Sequence, residues 1–476
     1  MSRGSARAAA LAALLGAAGL PGCAAPAFVV KHFAASRQAA SDALIREETA
    51  HHIGVLAYVY GYPLVDMHRQ MHNETHRVAP DQLALAPVNH FFVFPELVTP
   101  RTQGNLRNPN NDTLYLSGWF DFGAEPVILH VPDTADRYYT LGIMDFFSEV
   151  QHIGRRATGT REGYFALVAP GWQGELPAGV TPVAVPTPKA WVLGRVLVDG
   201  PEDLPRVQPL LAEFWAARLS QWRAGVPPAR PELASAAGLD PLEGLDYFAA
   251  MNRELRQIRA KPREASLLAL FDQIGVGPGS VFDAAALDPD TRRGLLRALG
   301  DGRALVAASV RRSQPNVHNG WIIPLALGVF GDDYLMRAAN ALGGYSNLPE
   351  ETIYAAMAFA ADGGLLSGSA THRLRFRAGE LPPVGAFWSL SAYDLETRGF
   401  AANEIERYSI GDRTRGLRYG EDGSLELWLS HREPEAGRSN WLPTPSGPML
   451  LVLRMYEPDP SVRDGSYRLP RLEQIR

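Results

Sequence analysis

The spacing of apolar side chains divides the chain into stretches of different character. Residues 41–60 carry Leu44, Ile53, Leu56 and Tyr60 on roughly one face, a helical pattern that Gly61 and Pro63 are expected to interrupt. The stretch 23–40 ahead of it reads as a short tether. From 89 to 199 the pattern turns to short apolar runs at 127–131, 138–144, 164–168 and 191–198, separated by Pro, Gly and Asp, which predicts strands. Helical spacing returns between 201 and 312. Val207, Leu211, Phe214 and Trp222 predict one amphipathic helix. Leu242, Leu245, Phe248, Met251, Leu255 and Ile258, spaced by threes and fours, predict another, with Gly225 and Pro262 as stops.

Beyond the Gly343-Gly344 turn, Asn347 and Glu350 fit a capping box and predict a helix reaching about Ala361. The tail reads as strands. His372, Leu374 and Phe376 alternate with Arg373, Arg375 and Arg377, one face apolar and the other cationic. Leu425, Leu427 and Leu429 alternate with Glu426, Trp428 and Ser430 behind Asp422-Gly423, a type I′ hairpin signal. The expected fold is multidomain α+β: a leader over 1–22, the tether, a helix plus β domain over 41–200, a helical segment over 201–345 and a second β domain over 346–476. Both β domains are expected to be mainly antiparallel and sandwich- or jelly-roll-like.

At 476 residues, 46% apolar and 20% charged, the chain is long enough for more than one core. Its single cysteine excludes a disulfide-built scaffold. A net charge of −5 without a dense basic block argues against nucleic acid as a partner. Arg3 and Arg7, then the apolar run 8–20, read as a secretory signal too short to span a bilayer. Leu20-Pro21-Gly22-Cys23 follows and resembles the lipobox of bacterial lipoproteins. The resemblance implies a diacylated Cys23, removal of the leader, and membrane association through lipid alone. Ala24 after the cysteine implies sorting to the outer membrane. A plain secretory signal, with Cys23 free or discarded, is the competing reading.

At Tyr58-Val-Tyr-Gly-Tyr-Pro-Leu-Val65 the chain resembles the opening of bacterial proteins called domain of unknown function 1254. The likeness continues through Asn108-Pro-Asn-Asn-Asp-Thr-Leu-Tyr115, Trp119, Asp121, Val131-Pro-Asp133, Arg137-Tyr-Tyr139, Asp145, Ile153-Gly-Arg155 and Gly171-Trp172. The C-terminal part is similar to the companion family, domain of unknown function 1214, at Leu381-Pro-Pro383, Phe387-Trp-Ser-Leu390, Tyr393-Asp394, Arg407-Tyr-Ser-Ile-Gly-Asp-Arg413 and Asn440-Trp-Leu-Pro443. The resemblance implies an exported or envelope protein with two β-rich domains and a helical insertion, and it transfers no catalytic motif.

Candidate chemistry concentrates in three places. Asn111, Asp112, Thr113, Tyr115 and Asp121 form a polar string that can converge on a ligand, or can cap turns through local backbone N–H groups. Arg413 and Tyr408 lie in a segment suited to clamping a carboxylate or phosphate, with an internal ion pair to Asp412 as the structural alternative. Trp388 and Trp441 can offer an aromatic platform, although aromatics alternating in strands commonly belong to a core. Asp145 and Arg155 complete the candidates within the family motifs.

His68, His72 and His76 fall at i, i+4 and i+8, but on one helix they span about 12 Å, too far for one ion. His72 and His76 alone remain weak metal candidates. No G-x-S-x-G, P-loop, dinucleotide fingerprint or H-E-x-x-H occurs, and no cofactor is expected. The leading expectation is a lipid-anchored envelope protein holding a small polar molecule or glycan in a pocket between its β domains. The alternatives are a hydrolase or lyase using Asp112, Tyr115 or Asp145 as acid and base, and a structural envelope component that binds protein partners. The oligomeric state stays open.

Overall fold

The computed structural model of the protein describes residues 27–475 apart from 80, 81, 83, 84, 105–107, 226–229, 240–242 and 313–315. The leader and Cys23 therefore lie outside the described residues. The N-terminal strands are Phe92–Val93 (β1), Thr113–Asp121 (β2), Val127–Val131 (β3), Tyr139–Asp145 (β4), Val150–Gly154 (β5), Gly163–Val168 (β6), Val180–Ala184 (β7), Lys189–Leu197 (β8) and Trp215–Arg218 (β9). They form two sheets, ordered β1-β2-β8-β4-β5 and β7-β6-β3-β9. Alternate side chains of the first sheet (Leu114, Leu116, Leu141, Ile143, Val192, Val196) meet Val127, Leu129, Phe165 and Leu167 of the second in one dry core. The strand periodicity read from the sequence is the periodicity of this sandwich.

The C-terminal strands are Asn316–His318 (β10), Trp321–Ile323 (β11), Thr352–Met357 (β12), Thr371–Phe376 (β13), Val384–Asp394 (β14), Ile410–Gly411 (β15), Leu425–Ser430 (β16), Trp441–Pro443 (β17), Met449–Pro458 (β18) and Leu472–Ile475 (β19). Their sheets run β10-β11-β12-β18-β14-β15 and β17-β16-β13-β19. Leu374, Phe376, Leu425, Leu427 and Leu429 face Ile353, Leu390, Leu451 and Leu453, so the alternation in the tail marks the inner faces of a second sandwich. Pairing is antiparallel throughout both sandwiches except for β6 with β7 and β16 with β17.

Helices join the two. The long helix Ala27–Thr75 packs against Pro289–Arg312, Asp246–Leu255 and Tyr334–Gly343. Glycines let the longest pair approach closely: a Cβ on Gly54 would collide with Ala298, and one on Gly302 with the Tyr58 ring. Tyr60, Leu64, Met67, Phe248 and Met251 form the helical core, which also takes in Trp119 and Met144 from the N-terminal sheet. Among the described residues no helix is long and apolar enough to cross a membrane.

Six local expectations change. The first helix begins at Ala27 instead of Ser41, so the stretch expected as a tether is helical from that point. It also continues through Gly61 and Pro63 to Thr75. The lost backbone bond at an interior proline costs about 3 kcal/mol. Burial of Tyr60, Leu64 and Met67 on the same face offsets it at roughly 1.5–3 kcal/mol per apolar side chain. The segment holding Val207 to Trp222 is two short helices, Leu204–Ala212 and Leu219–Ala224, broken by β9, which completes the edge of β3.

The C-terminal sheet starts before 346, because β10 and β11 add to β12. Residues 352–357 form a strand and not a helix. Ile353, Ala355 and Met357 enter the core with period two, and Asn347 spends its amide on the Tyr354 hydroxyl at 2.9 Å instead of capping. At the last hairpin only Gly423 has positive φ, 82°, and its N–H donates to the Gly420 carbonyl at 2.8 Å. The turn is thus type I followed by a left-handed glycine, and not type I′.

Candidate functional site

The two sandwiches meet where the segment ahead of β2 enters the C-terminal domain. Asn110 shapes that segment: its Oδ1 accepts the N–H groups of Asp112 at 2.8 Å and Thr113 at 2.9 Å. The turn thereby delivers Asp112, 3% exposed, to the other domain. Its Oδ2 accepts from Ser389 Oγ at 2.6 Å, and its Oδ1 from Arg413 Nη2 at 2.7 Å and Ser409 Oγ at 3.3 Å. Arg413 Nη1 reaches back to the Val198 carbonyl at 2.8 Å, and its guanidinium lies 4.3 Å from the Phe387 ring centroid. Tyr393 Oη donates to the Pro109 carbonyl at 2.5 Å, and Arg454 Nη2 to that of Asn108 at 2.7 Å. Both arms of the competing readings for these residues are therefore partly met. Asn110 caps the turn, while Arg413 pairs with Asp112 instead of its neighbour Asp412.

Beside this joint opens a cleft of about 600 Å³, with Asn111 and Asp112, the 96–101 segment and the 198–208 segment on one side. The segments 405–409 and 411–415 form the other side. Arg101 pairs with Glu406 and Arg415 with Glu202, so two exposed ion pairs straddle the rim from domain to domain. Exposed pairs of this kind hold weakly, which leaves the mouth free to open. Inside, the Tyr408 hydroxyl makes no hydrogen bond among the described residues, and Arg413 Nε is buried without a partner. Arg407 is committed to the carbonyls of Arg438 and Trp441. Asn111 Nδ2 is given to the Val98 carbonyl at 2.6 Å, so the cleft is lined by the Tyr408 hydroxyl, the Asn111 amide oxygen, the guanidiniums of Arg101 and Arg415 and the carboxylates of Glu96 and Glu202, a mixed donor and acceptor set.

Of the residues singled out by sequence, Asn111, Asp112, Tyr408 and Arg413 come together here. Thr113 is buried against Asn110, and Tyr115 faces the seam between the sheets, its ring 5.5 Å from the Arg195 guanidinium. Asp121 caps a turn at the far end of β2 by accepting the Gly123 N–H at 3.1 Å. Asp145 is outside the cleft lining and 1% exposed. It accepts the Phe147 and Glu149 N–H groups on Oδ1 and leaves Oδ2 unpartnered. Burial pushes its carboxyl up to about 7. Arg155 ties the domains together elsewhere, through Glu457 at 2.5 Å.

Trp388 and Trp441, each 2% exposed, lie in the C-terminal interior and not on a platform, because the strand alternation turns both inward. The histidines of the first helix have separate partners. His68 Nδ1 meets Glu254 at 2.8 Å, His72 Nε2 the Ala237 carbonyl at 2.9 Å, and His76 Nδ1 the His72 carbonyl at 3.0 Å. His72 and His76 stack instead of converging on an ion. Among the described residues Glu48, His51 and His52 bring three potential ligand atoms within 4.8 Å of one another, but Glu48 is paired with Arg297 and His51 with Asp301.

Sequence reasoning missed Ser389 and Ser409, the donors that complete the Asp112 hub, and Glu351, which joins Tyr138 and Arg156 across the domains at 2.8 Å each. It also missed Arg195. Its signal was present: a cation in the middle of a strand that is apolar beyond Lys189.

Comparison with known proteins agrees with this architecture. The family described as protein of unknown function DUF1254 matches residues 88–217, and DUF1214, also of unknown function, matches 351–460. The crystal structure of the VPA0106 protein from Vibrio parahaemolyticus is similar over 90% of this chain and 100% of its own, at 26% identity and a TM-score of 0.69. An uncharacterised protein from Burkholderia cenocepacia aligns over 93% of this chain and 97% of its own, at 13% identity and a TM-score of 0.41. No curated protein matches the chain.

Proposed function

Because this chain belongs to the family that couples a DUF1254 region to a DUF1214 region, both walls of the cleft draw on matched segments, and we propose that the pair exists to hold a small polar molecule or glycan fragment between them. One observation carries the reading: a volume of about 600 Å³ lined by both domains, with Tyr408 in its lining and the Tyr408 hydroxyl without a partner among the described residues. That size suits a small ligand, and the balance of cations and carboxylates suits a hydroxyl-bearing one more than a strongly charged one. The acid–base reading has less support, since Asp112 spends both oxygens on Ser389, Ser409 and Arg413 and Asp145 does not line the cleft.

The protein works in the cell envelope, exported by its leader and anchored to the outer membrane through acylated Cys23, with the folded domains reaching the ligand from the periplasmic face. The motif Leu20-Pro21-Gly22-Cys23 supports that location. Mass spectrometry of small molecules released from the full chain expressed in the periplasm tests the binding role. A stoichiometric polar compound is expected, and its absence together with no binding to a glycan-fragment library contradicts the reading.

A further inference from the structure

Strand β8 is flanked by β2 and β4, with Tyr115 and Thr140 as the register partners of Arg195. Its faces differ. Ala190, Val192 and Val196 are sealed in the sandwich core, whereas Trp191, Leu193, Arg195 and Leu197 point the other way and stay only half-buried. That second face is nonetheless covered. Tyr138 packs on Phe387 and Tyr456 at 5.4 and 5.5 Å, Tyr115 joins the cluster of Tyr393 and Val452, and Trp191 meets Tyr345 at 5.9 Å. On the facing side Tyr354 and Ala356 of β12 are likewise only part-buried, so accessible surface is left between β8 and the strands β12 and β18.

Into that space projects a charge without a counterion. Among the described residues the Arg195 side chain forms no ion pair and no hydrogen bond, and its Nη1 is buried without a partner. Its electrostatic neighbours are the phenols Tyr354, Tyr115, Tyr456 and Tyr138. A guanidinium keeps its charge at any relevant pH, and a buried unpaired charge is costly, so native proteins pair it. The nearby carboxylates are spent: Glu351 holds Tyr138 and Arg156, and Asp112 holds Arg413 and two serines.

The phenols hold free protons. Tyr115 Oη accepts the Asn110 N–H at 3.2 Å and Tyr354 Oη accepts from Asn347 at 2.9 Å, so each keeps its own O–H to donate. Tyr456 is fully buried with its hydroxyl unpartnered.

We propose that this inter-sheet space is a second ligand site, in which the Arg195 guanidinium and the hydroxyls of Tyr115, Tyr354 and Tyr456 bind the carboxylate of a small organic acid whose apolar body lies along Leu193 and Trp191. A single unpaired cation matches one carboxylate, and the apolar wall distinguishes an acid with a carbon skeleton from inorganic phosphate. The site is separate from the cleft, whose lining includes none of these residues.

The test is thermal-shift and calorimetric titration of the full mature chain with benzoate and with hexanoate, beside benzamide and inorganic phosphate. At least one acid is expected to bind saturably, with benzamide and phosphate inert. Arg195→Met is expected to weaken that binding more than 10-fold. Tyr456→Phe, which removes only an unpartnered hydroxyl and so keeps the fold, is expected to weaken it about 3-fold or more. Tyr408→Phe in the cleft is expected to leave it unchanged. Absence of binding by both acids, equal binding of benzamide, preference for phosphate, or full binding by both Arg195→Met and Tyr456→Phe would overturn the proposal.

Discussion

Asp112 and Arg413 lie 301 residues apart in the chain and meet at 2.7 Å between the two sandwiches, where the carboxylate is 3% exposed and also accepts from Ser389. Breaking one member of a buried pair leaves the other charged and unsolvated. Asp112→Ala is therefore expected to lower unfolding free energy by about 3–5 kcal/mol, and Asp112→Asn, which keeps one acceptor oxygen, by less than half of that. Urea denaturation followed by tryptophan fluorescence measures both. A loss in Asp112→Ala with none in Asp112→Asn contradicts a role for the charge.

Gly411 sits opposite Ser389 where β15 pairs with β14, and a Cβ there would collide with the Trp388 carbonyl oxygen. Gly411→Ala should push β15 outward and carry Ser409 and Arg413 away from Asp112. A stability loss of about 1–3 kcal/mol is expected, together with weaker binding in the cleft. Unchanged affinity alongside lost stability would separate the hub from the ligand site.

Two buried groups give opposite dependences on pH. Asp145 is raised by burial to about 7, so the folded state binds its proton more tightly; the stability it contributes is complete below the ordinary value of 3.8 and is lost as pH rises to about 7. His152 is lowered to about 3, by burial first and then by Arg156 and Arg195, so its contribution is complete above 6.5 and is lost as pH falls toward 3. Between pH 4 and 6.5 the slopes oppose each other. Relative to the parent, Asp145→Asn is expected to tilt the dependence of stability on pH upward across that window, and His152→Gln to tilt it downward, each by on the order of 3 kcal/mol. Denaturation midpoints of the two variants at pH 4, 5 and 6.5 check the signs.

Cys23→Ala is expected to move the protein from the membrane fraction to the periplasm or medium, because it removes the thiol that would carry the proposed acyl chains. Immunoblotting of the fractions decides, and an unchanged membrane pool contradicts the anchor.

Much of the architecture was legible wherever one face of an element is core. The alternations at His372, Leu374 and Phe376 and at Leu425, Leu427 and Leu429 mark real strands because their inward sets share one dry interior. Where local chemistry outvoted long-range packing, the reading failed. Asn347 and Glu350 look like a cap, but Ile353 and Ala355 are drawn into the sheet by β18, a hundred residues downstream. Pro63 looks like a stop until the burial of Leu64 and Met67 is counted.

The site divides in the same way. Asn111, Asp112, Tyr408 and Arg413 stood out by type and local density, and they share the cleft. Trp388 and Trp441 stood out by type alone and are interior. Ser389 and Glu351 act through partners from the other domain, and Arg195 lies among phenols of both, which no local pattern specifies.

Native mass spectrometry of the mature chain, purified from the periplasm and compared with an Asn111→Ala/Tyr408→Phe variant, measures occupancy of the cleft directly. A stoichiometric adduct of a hydroxyl-rich compound on the parent protein, reduced at least tenfold in the folded variant, is the expected result. A parent protein with no adduct and no affinity for glycan fragments, or an adduct equally retained by the variant, would contradict the cleft as the binding site.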